Sequence, residues 1–97
     1  MDREATLVFN VDHPAFAGHF PGVPIVPGVL LLDAAVAALE QQTGRRVTQI
    51  ASAKFLRPVG PGEGLSLVWD SPAGTRFEIK AASQLAASGS LSTDLKA

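Results

Sequence analysis

The sequence predicts an α+β fold in which one long helix is enclosed by a strongly curved antiparallel sheet, and three observations predict it. The helix-favouring run "PGVLLLDAAVAALEQQ", Pro27 to Gln42, carries apolar side chains around nearly its whole circumference for about three turns. Such a helix is expected to be buried on nearly all sides. The rest of the chain is short strand-like runs separated by turn signals. Finally, 97 residues suit one domain, 1–97. A chain of that size buries only about two-thirds of its unfolded surface, so a partner subunit would help.

Taken in order, "EATLVFNV" from Glu4 to Val11 alternates polar and apolar side chains as a half-buried strand does. "DHPAFAGHFPGVPIVPG" holds too many prolines and glycines for a helix or central strand, because each proline lacks an N–H and fixes φ. An ordered, mostly extended loop is expected there. Pro27 sits near the helix start, where its missing donor matters least, and Gly44 supplies a C-terminal stop. After a turn at "TGRR", the runs "VTQIASAKFLRPV", "GLSLVWDS", "TRFEIKAASQLA" and "ASGSLSTDL" are strand-like. They are parted by "GPGEG", "SPAG" and Ser88-Gly89. Trp69 alternates with Leu65 and Leu67, which assigns it to a packed sheet face. The expected order is strand, loop, helix, then three or four strands, with no internal repeat, low-complexity tail or linker.

Composition excludes several classes of function. Hydrophobic residues make up 46% and the formal net charge is −1, which gives no electrostatic case for nucleic acid. The absence of cysteine rules out disulfides, thiolate metal sites and a cysteine nucleophile. "MDREATLVFNVDHPAF" has acidic residues where a signal peptide needs basic ones, and no apolar run approaches the roughly eighteen residues of a membrane span. A cytoplasmic protein is expected.

Two residues are out of keeping with a packed interior. A carboxylate at Asp33, inside an apolar helix, must find a partner or take up a proton, so burial should raise its pKa. Its alternative is to cap a backbone group or reach solvent through a gap. His19 stands in the Pro/Gly loop, where a histidine is often only structural. Together, a neutral imidazole and a protonated carboxylic acid facing one cavity form a general base and a general acid. Gly28 offers a third element, since the first amides of a helix are unpaired and carry the positive end of its dipole, able to hold an oxyanion. Plain turn geometry is the other explanation for that glycine. Pro21, Pro24 and Pro27 stiffen the approach. His13 is assigned to a turn or the surface, and Phe16, Phe20 and Phe55 to core or tunnel lining. Lys54, Arg57, Arg45 and Arg46 either meet an acidic partner or are solvated charges.

"HPAFAGHFPGVPIVPGVLLLD" resembles the signature of the hot-dog-fold β-hydroxyacyl-acyl-carrier-protein dehydratases of the FabZ and FabA type. It has their GHFPG turn, a second Pro-Gly, and an acid in the following helix fourteen positions after the histidine. "AKFLRPVGPGE", residues 53–63, is similar to the lysine-phenylalanine strand and the proline-valine, proline-glycine turn that follow the helix in that family. The likeness runs from about Ala5 to Leu95.

The resemblance implies a homodimer, or a higher oligomer of dimers, in which each curved sheet wraps its own helix and two sheets join along an edge. His19 of one chain would then meet Asp33 of the other. The implied reaction is loss of water from a (3R)-3-hydroxyacyl thioester, carried on the phosphopantetheine of acyl carrier protein, to give the trans-2-enoyl thioester. Fatty-acid or specialised acyl biosynthesis is the implied setting, and no metal or other cofactor is required. His19 would remove the α-proton, Asp33 would protonate the leaving hydroxyl and the Gly28 N–H would hold the thioester oxygen. Phe20, Pro27, Ile25 and Phe55 would bind substrate, the Ile25 carbonyl orienting the imidazole, and Lys54 and Arg57 would bind the carrier protein.

The sequence departs from the family pattern in three places. Its acid is Asp33, as in the dehydratase-isomerase branch, where the more widespread branch has glutamate. Ala37 stands one turn later, where the family usually has a glutamine. The helix and strand that longer members carry before "ATLVFNV" are missing, which makes the chain similar to compact dehydratases of pathways such as aryl-polyene synthesis. The same fold also admits a thioesterase, or a non-catalytic acyl-binding or pairing module; the GHFPG signature favours dehydration.

Overall fold

Period-two alternation of buried and half-buried side chains builds the inner face of the sheet. Leu65, Leu67 and Trp69 on one strand, and Phe77, Ile79 and Ala81 on the next, are buried, while the residues between them are half-buried. The computed structural model describes residues 2–9, 26–60, 62–70 and 75–95. His13, Phe16, His19, Phe20, Pro21, Pro24 and Ile25 lie outside the described residues. The elements are β1 (Arg3–Leu7), α1 (Gly28–Thr43), β2 (Arg45–Phe55), β3 (Leu65–Trp69), β4 (Arg76–Ala81) and β5 (Gln84–Leu95). The strands form a five-stranded sheet in the order β1-β3-β4-β5-β2, antiparallel at every pairing. This is the expected α+β arrangement, with four strands after the helix.

Helix α1 packs on the sheet through Leu31, Ala35 and Leu39, which are 3%, 0% and 2% exposed. Their spacing of four puts them on one face. Leu30, Leu32, Ala34 and Ala38 are half-buried along its flanks. The remaining stripe, Val29, Asp33, Ala37 and Gln41, is exposed. This corrects the expectation of a helix buried on nearly all sides. Hydropathy alone does not distinguish a helix face covered by its own sheet from one left to another molecule.

The helix ends are tied to the stretch of chain, residues 45–60, that runs back beside it. At the start, the Pro27 carbonyl accepts from both Leu30 N–H (3.0 Å) and Leu31 N–H (3.2 Å). Just before it, Val26 N–H donates to the Val59 carbonyl at 2.7 Å. At the far end, Gly44 adopts φ 70°, the left-handed cap that glycine accepts without a Cβ clash, and its N–H returns to the Glu40 carbonyl at 3.0 Å. Glu40 reaches across the turn, its Oε2 accepting from Val47 N–H at 2.9 Å.

Two turns differ from the sequence expectation. Arg45 and Arg46 belong to β2 rather than to the preceding turn. The β4–β5 hairpin turns at Ala82-Ser83, not at Ser88-Gly89. Both turn residues have positive φ, 51° and 67°, a two-residue loop of the kind that asparagine-glycine pairs usually occupy. Gly89 instead lies inside β5, opposite Phe77. A β-carbon there would stand 2.6 Å from the Ser52 carbonyl oxygen and 2.8 Å from the Phe77 ring. Glycine is needed because the Ser52 carbonyl of the neighbouring strand and the aromatic ring together fill the side-chain space.

Two stability outcomes follow, both readable in urea titrations through Trp69, which is 4% exposed and the protein's one tryptophan. Gly89→Ala overpacks the sheet and is expected to destabilise by about 1–3 kcal/mol. The double substitution Ala82→Asn, Ser83→Gly relieves two left-handed residues and is expected to stabilise by about 1 kcal/mol or more.

Candidate active site

The seam where β2 runs back past α1 holds two grooves. The first, about 310 Å³, lies at the helix start, between Val26, Gly28 and Leu31 on one side and Phe55, Leu56 and Arg57 on the other. Because the Pro27 carbonyl takes the Leu30 and Leu31 amides, those of Gly28 and Val29 have no intrahelical acceptor and carry the positive end of the helix dipole. Pro27 is the N-cap, at φ −57° and ψ 143°, with no side-chain cap. Nothing of the helix's own therefore competes for an incoming oxygen. Phe55 lies over this end, and a β-carbon on Gly28 would stand 3.1 Å from its ring.

The second groove, about 460 Å³, runs along the exposed stripe. Asp33, Val36, Ala37 and Glu40 form its helix side, and Val47 to Ile50 its strand side. Asp33 is exposed at one end, one turn beyond Val29. The burial expected around its carboxyl is not supplied by this chain's own described elements. Glu40 closes the other end, held by its bond to Val47. Sequence reasoning missed Glu40, although its seven-residue spacing from Asp33, two turns, placed both on one helix face.

The other site expectations divide. Gly28, Pro27 and Phe55 come together at the helix start. Arg57, half-buried, lines the same groove, but Lys54 does not. Lys54 pairs in register with Ser88, and with Arg76 and Glu78 it borders a separate hollow of about 250 Å³ on the outer sheet face. The alternation of the strand explains the separation: Phe55 points to the helix and Lys54 away from it. His19, Phe20 and Ile25 lie outside the described residues, so their relation to Asp33 and Gly28 rests on the sequence.

Comparison with known proteins bears on this arrangement. The profile of the ApeI-like family, described as ApeI dehydratase, matches residues 2–90. The 3-hydroxyacyl-acyl-carrier-protein dehydratase FabZ of Brucella melitensis biotype 2 is 45% identical over 78 residues, covering 68% of this chain and 50% of that protein. FabZ of Chlamydia trachomatis serovar L2 is 42% identical over 69 residues, covering 60% of this chain and 45% of that one. The chain thus spans about half the length of the curated relatives it matches. Among solved structures, an uncharacterized protein from Erwinia carotovora subsp. atroseptica superposes with a TM-score of 0.74 at 29% identity, over 95% of this chain and 82% of that one. The dehydratase heterocomplex ApeI:P from Xenorhabdus doucetiae gives 0.69 at 25% identity, over 93% and 84%.

The contact at Gly28 yields a test of local geometry. Phe55 is 51% exposed, so its ring can yield to an added methyl group. Gly28→Ala is therefore expected to hold folding stability within about 1 kcal/mol of the parent, the size of the helix-propensity difference. The Phe55 ring resonances should shift in NMR spectra. A much larger loss would mean that the ring is fixed in place.

Proposed function

The chain belongs to the ApeI-like dehydratase family, and on that premise we propose that it removes water from a (3R)-3-hydroxyacyl thioester presented by acyl carrier protein. The product is the trans-2-enoyl thioester. The observation that carries this reading is Asp33, a carboxyl group on the open stripe of a helix that otherwise packs, one turn from amides with no intrahelical acceptor. Those are the donors the elimination requires: one for the departing hydroxyl and one for the thioester oxygen.

In this reading His19 takes the α-proton as electrons move to form the Cα–Cβ double bond. The Cβ–O bond breaks while Asp33, in its protonated form, gives its proton to the leaving hydroxyl, so that water departs. The Gly28 amide holds the thioester oxygen as it gains charge, an interaction of about 3 kcal/mol per donor in other enzymes. Transfer of the proton from His19 back to Asp33 through water resets the site. Arg57, at the lip of the first groove, is assigned to the carrier's phosphopantetheine arm, and Lys54, around the sheet edge, to the carrier's acidic surface.

The reading also requires a second chain. Strand β2 is an edge of 11 residues with one side unpaired among the described residues, and Ile50, Phe55, Leu56 and Val29 stand 43%, 51%, 54% and 66% exposed beside it. A long edge strand flanked by apolar side chains is a template for pairing. Two copies joined there would cover the Asp33 stripe, and the family resemblance has His19 of one chain meet Asp33 of the other.

The test is to incubate the protein with a 3-hydroxyacyl carrier protein and follow enoyl absorbance. His19→Ala and Asp33→Asn are each expected to lower turnover by at least about 10²-fold, the contribution of a positioned acid or base. Mixing the two variants should restore roughly a quarter of parental activity, because half of randomly paired dimers are mixed and each regains one of two sites. Free acid as the product would indicate a thioesterase, and no product a binding module.

A further inference from the structure

We propose that Glu63 is a positioning residue: its carboxylate closes the turn that holds both ends of the segment bearing His19, and so sets where the imidazole stands. The proposal rests on the dehydratase reading above, in which His19 is the base, and adds a residue to it. Residues 10–25 carry His19 between Phe9 and Val26. The Phe9 carbonyl accepts from Gly62 N–H at 2.7 Å, and Val26 N–H donates to the Val59 carbonyl at 2.7 Å. Both ends therefore hang from one short stretch, Val59 to Gly62. Such a stretch spans at most about 11 Å when fully extended, and a turn within it makes the span shorter. The anchors are also packed, since Phe9, Val26 and Val59 are all buried.

The spacing of the two anchors depends on how the turn between them closes. Gly60 and Glu63 flank a Pro-Gly pair, the sequence that a type II turn favours, and Gly62 has φ 82°, as such a turn requires of its third residue. The backbone bond across it, from Glu63 N–H to the Gly60 carbonyl, is long at 3.4 Å. The Glu63 carboxylate supplies a second link, its Oε2 accepting from Gly60 N–H. An ionised acceptor makes this the stronger of the two. Gly60 adjoins the Val59 anchor and Glu63 adjoins the Gly62 anchor, so the carboxylate ties one anchor to the other. Glu63 is itself exposed, and its side chain can be altered with little effect on packing. The Val26 anchor lies two residues before Gly28, so the same turn relates the proposed base to the helix start and its free amides.

Turnover of a 3-hydroxyacyl carrier protein and the NMR spectrum of the imidazole test this together. Glu63→Ala should lower kcat and kcat/KM together by roughly tenfold to a hundredfold, the size expected when a reacting group is misplaced by about 1 Å, with KM little changed. Glu63→Gln keeps an acceptor oxygen and should recover most of the lost turnover. The protein has two histidines, so His19→Ala identifies which ring signals belong to His19 and which to His13. The His19 signals should move or broaden in Glu63→Ala and return in Glu63→Gln. An unchanged His19 ring in Glu63→Ala, or an unchanged kcat in an active protein, overturns the proposal. A loss of turnover that follows the urea midpoint and is not recovered by Glu63→Gln also overturns it, because the turn would then serve folding alone. A His19 ring that responds to Glu63→Ala in a protein giving no enoyl product would defeat the dehydratase reading while the positioning by Glu63 stands.

Discussion

The burial of one helix stripe, Leu31, Ala35 and Leu39, against the inner face of the sheet is the constraint from which the rest follows. These side chains share one buried cluster with Leu65, Leu67, Phe77 and Ile79, and a fully buried leucine contributes about 1.5–3 kcal/mol. Once that stripe is committed, helical geometry sends Val29, Asp33 and Ala37 to the opposite side. A five-stranded sheet covers the first stripe and the flanks but leaves the other open. The acid, the free amides and both grooves are consequences of which face the core takes.

Much of the fold was legible in the sequence, and for identifiable reasons. Period-two alternation in "GLSLVWDS" marked β3, and Pro27 and Gly44 marked the helix ends within a residue. The hairpin at Ala82-Ser83 was not legible, because neither residue is a usual occupant of left-handed φ, whereas Ser88-Gly89 looked like a turn. Gly89 is there for a different reason, the Ser52 carbonyl and the ring of Phe77 beside it. Neighbours on the adjoining strands, not local propensity, decided that position.

The candidate site was legible in part. Asp33 stood out as a carboxylate in an apolar helix, and that signal identified the residue while misjudging its surroundings. The apolarity of the helix reflects more than its own sheet: Val29 and Ala37 face outward. Gly28 and Phe55 were anticipated separately, and only the fold brings them within contact of each other. Lys54 and Arg57, three residues apart, read as one cationic pair, but strand alternation and the end of β2 put them on different faces. Glu40 escaped notice because a polar residue near a helix end is ordinary; its tie to Val47 gives it significance.

That tie has a counterpart at the other end, where Val26 N–H meets the Val59 carbonyl. The helix is thereby pinned twice to one continuous stretch of chain, and neither pin belongs to the residues that would perform chemistry. Sliding the helix along its axis would break both anchors at once, so the seam behaves as a gauge of constant span. Divergence among related chains can then retune what the seam admits by exchanging single side chains along it, with the backbone serving as an unchanging frame.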